Sequence, residues 1–191
     1  MQKQALDYLL IHICSLSKIS NDVEAFDVIC KYSFSPLIRC IAINKVSRNS
    51  GGTSGFDTEV LNNDMLKLNC YKKTNVLKVS RKSNKSKTDI LKVVIPKANG
   101  GSRNIGISNI VDRVLQTQMC ILLDAFYEAK YHENVFGFRK GRNTLQAIAL
   151  LSRIIDSTEK DRLGVALLDI KGCFDKIPHN VIIKYFKVPK I

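Results

Sequence analysis

Between Ser108 and Phe126, apolar side chains recur at Val111, Val114, Leu115, Met119, Leu122 and Phe126, the spacing of one face of a long α-helix. A helix with such a face must bury it against other elements. The preceding sequence supplies candidates. Residues 4–16 set Leu6, Leu9, Leu10 and Ile13 on one helical stripe. Ser20-Asn21-Asp22 offers capping oxygens for a second helix. Ser35-Pro36 reads as an N-cap and first-turn proline opening a third, through Leu37, Ile38, Ile41 and Val46. The glycine-rich stretch from Asn49 to Gly55 is expected to be a loop, with Asp57 capping a short helix through Val60, Leu61 and Leu66.

Strand signals then interrupt the helices. Leu91-Lys92-Val93-Val94-Ile95 is β-branched, Ala98-Asn99-Gly100-Gly101 carries turn chemistry, and Arg103 to Ile107 can return as the partner strand, so a hairpin is predicted with Lys97 and Arg103 flanking its tip. After the long helix, Gly137 to Gly141 breaks the pattern. Asn143 and Gln146 have capping-box spacing for a helix through Ile148, Leu151 and Ile155. Leu163 to Ile170 is nearly continuous in apolar character and reads as a buried strand ending in the carboxylate of Asp169. Pro178-His179-Asn180 opens a last short helix through Val181, Ile182 and Tyr185. The expected class is α+β, mainly helical with one hairpin.

Charge narrows the partners. The chain has 30 Lys+Arg and 17 Asp+Glu in 191 residues, a formal net charge of +13. Residues 1–40 sum to zero, residues 41–100 to +8 and residues 101–191 to +5. Between Lys72 and Lys87 there are seven basic residues, among them Lys73, Arg81 and Lys82, and no acidic one. Such a field suits a polyanion, above all nucleic acid, although a solvated basic loop would read the same way. The segment Phe136-Gly137-Phe138-Arg139-Lys140-Gly141-Arg142 sets three cations beside two aromatics, a composition fit for backbone contacts and base stacking. The six cysteines form no CxxC pair and no cluster with histidine, so zinc is not expected, and most of them sit in apolar runs, such as Met119-Cys120-Ile121-Leu122, that suit small buried thiols in a reducing compartment. The apolar stretch near the N-terminus is too short to span a membrane and is interrupted by Asp7. Four acidic residues in the first forty argue against a transit peptide.

Taken singly, these features stay ambiguous: an aspartate at a strand end is often only a turn residue, and the glycines of the hairpin are explained by its turn. Their order is more specific. Ile95-Pro96-Lys97, Asn99 to Ile107, Asp112-Arg113-Val114-Leu115-Gln116, Phe136 to Arg142 and Asp169-Ile170-Lys171-Gly172-Cys173-Phe174-Asp175 follow one another in a string that resembles the early blocks of group II intron reverse transcriptases, the intron-encoded maturases. Asn44-Lys45 and Gly51 to Asp57 look like that family's N-terminal extension block.

The resemblance implies a right-hand polymerase: an N-terminal helical region over 1–45, fingers over 46–160, and over 161–191 the incomplete start of the palm, including its first strand. It implies that Asp169 is a catalytic carboxylate and that Asp169 and the Ile170 carbonyl are ligands of Mg²⁺. Phe174 would be the residue that packs under the sugar and excludes ribonucleotides, and Asp175 would be structural. Lys97 and Arg103 would hold the incoming triphosphate. Arg139 would lie near template RNA, with Lys140 and Arg142 beside it as further RNA contacts; residues 1–40 and 72–90 fall outside the resemblance, and Lys72, Lys73, Arg81 and Lys82 are expected to contact RNA on their charge alone. The implied partner is structured intron RNA.

The family's Tyr-Ala-Asp-Asp turn does not occur in these residues. The expectation is therefore a truncated reverse transcriptase/maturase-like, RNA-binding protein that does not polymerise alone. The alternatives are a stand-alone RNA-binding splicing helper and the N-terminal half of a split enzyme completed by a second chain. Abundant Lys, Ile and Asn suggest an organelle-encoded or bacterial source.

Overall fold

The computed structural model describes residues 2–50, 52–76, 90–98, 100–158 and 164–186. They fall into two compact units, Met1–Lys130 and Tyr131–Ile191.

The first unit is a helical assembly built on α1 (Gln2–Lys18), α2 (Asp22–Tyr32), α3 (Pro36–Ser50), α4 (Asp64–Val76) and α5 (Ile110–Glu128), with a hairpin of β1 (Leu91–Pro96) and β2 (Ser102–Ile107) inserted before α5. The helix starts follow local chemistry. Asn21 Oδ1 accepts from the Glu24 N–H at 3.4 Å and its amide donates to the Glu24 carboxylate at 2.6 Å. Ser35 Oγ accepts from the Ile38 N–H at 3.3 Å, directly before Pro36. Two sequence expectations need correction. The glycine-rich loop starts later than Asn49, because α3 continues through Asn49 and Ser50, neither of which breaks a helix as a glycine pair does. The next helix is capped by Asn63, whose Oδ1 accepts from the Leu66 N–H at 2.9 Å. Asp57 instead closes a local turn onto the Glu59 N–H at 3.3 Å.

Helix α5 packs against α1, α2, α3 and α4. Its buried stripe is Ile110, Val114, Gln118, Ile121, Leu122 and Phe126, with Val111 and Met119 only partly covered. The predicted face is thus correct at Val114, Leu122 and Phe126, but it widens and rotates because neighbours cover α5 from several sides. Ile13 and Leu16, Phe26 and Ile29, and Ile38, Ala42, Ile43 and Val46 complete the core from α1, α2 and α3. Each fully buried aliphatic side chain contributes about 1.5–3 kcal/mol. Phe26 and Phe126 stack with ring centroids 4.6 Å apart. Two buried hydrogen bonds fix the helix positions: Ser17 Oγ donates to the Phe126 carbonyl at 2.8 Å, and Gln118 Nε2 to the Ser33 carbonyl at 3.0 Å.

The hairpin forms as expected, antiparallel from Leu91 opposite Ile107 to Pro96 opposite Ser102. Gly100, at φ +79°, supplies the left-handed residue of the turn, and the Lys97 N–H donates to the Gly101 carbonyl at 2.7 Å. Leu91, Val93, Ile105 and Ile107 share the half-buried face, while Val94 and Ile95 are exposed.

The second unit holds a loop over 131–142, then α6 (Thr144–Ser157), α7 (Cys173–Lys176) and α8 (His179–Phe186). The box predicted for α6 is present: Asn143 Oδ1 accepts from the Gln146 N–H, and Gln146 Oε1 accepts from the Asn143 N–H, both at 3.0 Å. The expected buried strand at 163–170 is not observed over 164–170, and residue 163 lies outside the described residues. Residues 164–170 lack strand pairing and are exposed, Leu167 at 97% and Leu168 at 89%. A strand buried on both faces needs neighbouring strands, and among the described residues none pairs with this segment. Ile148, Leu151 and Ile155 of α6 are also exposed. Of the cysteines, Cys70 is buried, whereas Cys120, in the apolar run Met119-Cys120-Ile121-Leu122, is exposed, against its reading as a buried thiol.

Candidate nucleic-acid interface

The loop at 131–142 is organised around Arg139. Its guanidinium donates to the carbonyls of His132 and Val135, at 3.0 and 2.9 Å, and lies 5.3 Å from the centroid of the Tyr131 ring. A single guanidinium nitrogen, Nη1, thus ties back the chain from His132 to Arg139. The Arg142 N–H donates to the Arg139 carbonyl at 3.3 Å, and the Arg142 guanidinium covers the Phe136 ring at 5.6 Å. Gly141 takes φ +79°, an easy conformation for glycine. Phe138 takes φ +58° with its side chain wholly exposed. A bulky residue in that region is strained and exposes its ring to water, a combination found where a side chain is held out for a ligand. Lys140 is exposed beside it. Here the sequence segment of cations and aromatics becomes one surface with an ordered scaffold.

A second constellation joins two of the sequence blocks within the first unit. Gly55 packs so closely on the start of α5 that a Cβ there would stand 2.7 Å from Asn109 Oδ1 and 2.9 Å from the Ser108 carbonyl. Asn109 Oδ1 accepts from the Asp57 N–H at 3.3 Å, and Arg113 donates to the Thr53 carbonyl. Burial, and after it the Asp57 charge, holds the Asp112 carboxyl above the ordinary range. Burial lowers the Arg113 guanidinium, and Asp57 opposes that shift. Asn109 was legible only as a helix boundary; its role as the acceptor for a loop fifty residues away was not.

The remaining predicted residues are distributed. Lys97 lies at the hairpin turn and Arg103 in β2, both exposed. Lys72 and Lys73 are exposed on α4, and Lys73 is paired with the Glu59 carboxylate. Arg81 and Lys82 lie outside the described residues. Asp169 and Ile170 end the unpaired segment 164–170, Gly172 turns the chain at φ +63°, and Phe174 stands exposed on α7. Among the described residues no group of three or more His, Cys, Asp or Glu side chains is placed to hold a metal ion. One carboxylate and one carbonyl supply two of the roughly six oxygens of a Mg²⁺ octahedron, so these residues do not by themselves fit a complete cation site.

Sequence reasoning missed Arg39, which is buried on α3, donates to the Phe34 carbonyl at 3.1 Å and lies 4.9 Å from the Tyr71 ring centroid. It also missed Arg153 on α6, which faces the loop just described across a cleft. No helix among the described residues is long and apolar enough to cross a membrane.

Residues 95–191, half of the chain, match the family pattern of reverse transcriptases (RNA-dependent DNA polymerases), and the chain belongs to that family. The match takes in the hairpin turn, the 131–142 loop and the Asp169 segment. The chain is 31% identical over 144 residues to a 91 kDa protein in the cob intron of Schizosaccharomyces pombe, which covers 75% of this chain and 17% of that protein. It is 33% identical over 95 residues to a protein of COX1/OXI3 intron 1 in Saccharomyces cerevisiae, 50% of this chain and 11% of the other. It is 32% identical over 81 residues to the group II intron-encoded protein LtrA of Lactococcus lactis, 42% of this chain and 13% of LtrA. The likeness to group II intron-encoded proteins therefore holds for part of the chain, which spans less than a fifth of the length of each of these relatives.

Proposed function

We propose that residues 1–191 form the RNA-holding, fingers-side portion of a group II intron reverse transcriptase/maturase. The observation that carries this reading is the 131–142 loop, where Arg139 is locked by two carbonyls while Lys140, Arg142 and the strained Phe138 are presented outward. A scaffolded set of cations and an exposed ring suits RNA contacts through backbone charge and stacking. The net charge of +13 supports the same partner, structured intron RNA.

In this reading residues 1–45 are the N-terminal helical region, 46–160 the fingers and 161–191 the start of the palm. Lys97 and Arg103, at the hairpin end, hold the triphosphate of an incoming nucleotide, the arginine by its two-donor fork and the lysine as a point charge. Phe174 stands against the sugar, and Asp169 with the Ile170 carbonyl contributes to a divalent-cation site. With further carboxylates completing the site, such cations would supply activation of an attacking hydroxyl and charge stabilisation of the leaving group. The further carboxylates that a two-cation site requires would come from outside these residues, so the 191-residue polypeptide does not polymerise.

The test is fluorescence anisotropy of the 191-residue chain with a labelled group II intron fragment, together with primer extension in Mg²⁺. Binding that weakens steeply between about 50 and about 200 mM salt is expected, with no nucleotide incorporation. Salt-independent or absent binding overturns the RNA reading. Primer extension that disappears in Asp169→Asn overturns the claim of incompetence.

A further inference from the structure

Within the second unit, a cleft of about 510 Å³ separates the 131–142 loop from α6. Gln146 and Arg153 lie one and three turns along α6, seven residues apart and so on one face of the helix. Facing them from the loop are Glu133, Asn134, Phe136 and Arg142. Both sides are held in place. The capping box fixes the first turn of α6, and the double anchor of Arg139 fixes the loop. The Gln146 Oε1 is already used by the Asn143 N–H, which leaves the amide Nε2 as a donor.

Neither Arg142 nor Arg153 has an ion-pair partner among the described residues. The Arg142 guanidinium is positioned by the Phe136 ring rather than by a carboxylate. Arg142 and Arg153 thus line one polar cleft together with the Glu133 carboxylate, which leaves a cationic excess there, beside two side-chain amides that can pair with sugar or base edges. Guanidinium forks match phosphate oxygens bidentately.

We propose that this cleft is a phosphodiester-binding site for single-stranded RNA, in which Arg142 and Arg153 hold one backbone phosphate and Asn134 and Gln146 contact the adjoining nucleotide. The assignment rests on the RNA-binding reading above and adds a site to it. It commits to a phosphate within a polynucleotide rather than a free mononucleotide, because the cleft is open and its donors are spread along a helix face.

The experiment uses the 191-residue chain, a labelled oligouridylate of about 20 nucleotides, and anisotropy over a salt series. Arg153→Gln is expected to weaken binding roughly five- to tenfold and to reduce the salt slope by about one. Arg153→Lys should keep the slope while losing part of the affinity, since the charge remains but the fork is lost. Because Arg153 is exposed, both variants should retain the wild-type circular dichroism and melting temperature. If wild type binds with a steep salt slope and Arg153→Gln matches it, this site is overturned while the general RNA reading stands. If wild type binds no RNA, both fail. Displacement of the oligonucleotide by uridine monophosphate at equal phosphate concentration overturns the polynucleotide assignment.

Discussion

Asn109 Oδ1 accepts the Asp57 N–H at 3.3 Å, tying the loop that follows α3 to the first turn of α5. Asn109 has N-cap geometry but makes no side-chain cap bond to its own helix. Its oxygen is spent on a tertiary contact, and Gly55 leaves the room for it.

That contact predicts a sharp contrast between two glycines. Gly55→Ala places a methyl group 2.7 Å from Asn109 Oδ1 and 2.8 Å from its Cα, and should destabilise the first unit by about 1–3 kcal/mol. Gly52→Ala meets nothing within 4 Å and should be close to neutral. Urea denaturation of the two variants checks this; equal midpoints would show that the loop does not pack as described.

Asp112 gives a pH dependence of definite sign. Its folded-state carboxyl is held above the ordinary range by burial and by Asp57, so between the unfolded pKa, near about 4, and the raised folded value, the folded protein binds more protons than the unfolded chain. Stability contributed by this group is therefore full below that window and is lost as pH rises through it. Asp112→Asn should gain on wild type as pH rises from about 4 and match it below. Melting temperatures of the pair over that range test the prediction; a difference that shrinks with rising pH would reverse the assignment.

The core predicts a large single-site loss. Leu122 is fully buried at the centre of α5, and Leu122→Ala should cost about 2–5 kcal/mol. Equilibrium denaturation measures it. A cost below about 1 kcal/mol would mean that α5 is not the hub of the bundle.

Thiol reactivity should follow burial. Burial and the Glu59 charge push the Cys70 thiol up to about 11, and its side chain is covered. Iodoacetamide at neutral pH should therefore label Cys120 well before Cys70, which should react only on unfolding. Peptide mapping by mass spectrometry reads the order.

For the helix of the second unit, Asn143→Ala removes the acceptor of the Gln146 N–H and should cost about 1 kcal/mol of helix stability. Because Arg142 adjoins this cap, RNA affinity should fall with it, a joint loss that anisotropy and circular dichroism would show together.

Most of the helices and the hairpin were legible in the residues, because their signals are local. Ser35 before Pro36, Asn21 before Asp22, the Asn143–Gln146 box and the turn at Gly100 each act within four residues, and all four are seen. The ordered blocks from Ile95 to Phe174 were equally a property of the linear chain, and through them the family. Contacts across long separations were not legible. No local signal marks Gln118 as a buried donor to Ser33, eighty-five residues away, or Asn109 as the acceptor for Asp57. The apolar run before Asp169 misled in the opposite direction: periodicity registers that a segment is fit for burial, but burial needs partner strands, and among the described residues it has none. The sequence by itself determined most of the helices, the hairpin and the family they belong to, since propensity, capping and motif order are written within short windows. Only the tertiary structure decided which face of α5 is covered, that Arg139 folds its loop by gripping two carbonyls, and that Arg142 and Arg153 look into one cleft. Those outcomes depend on where distant backbone and side-chain atoms come to rest.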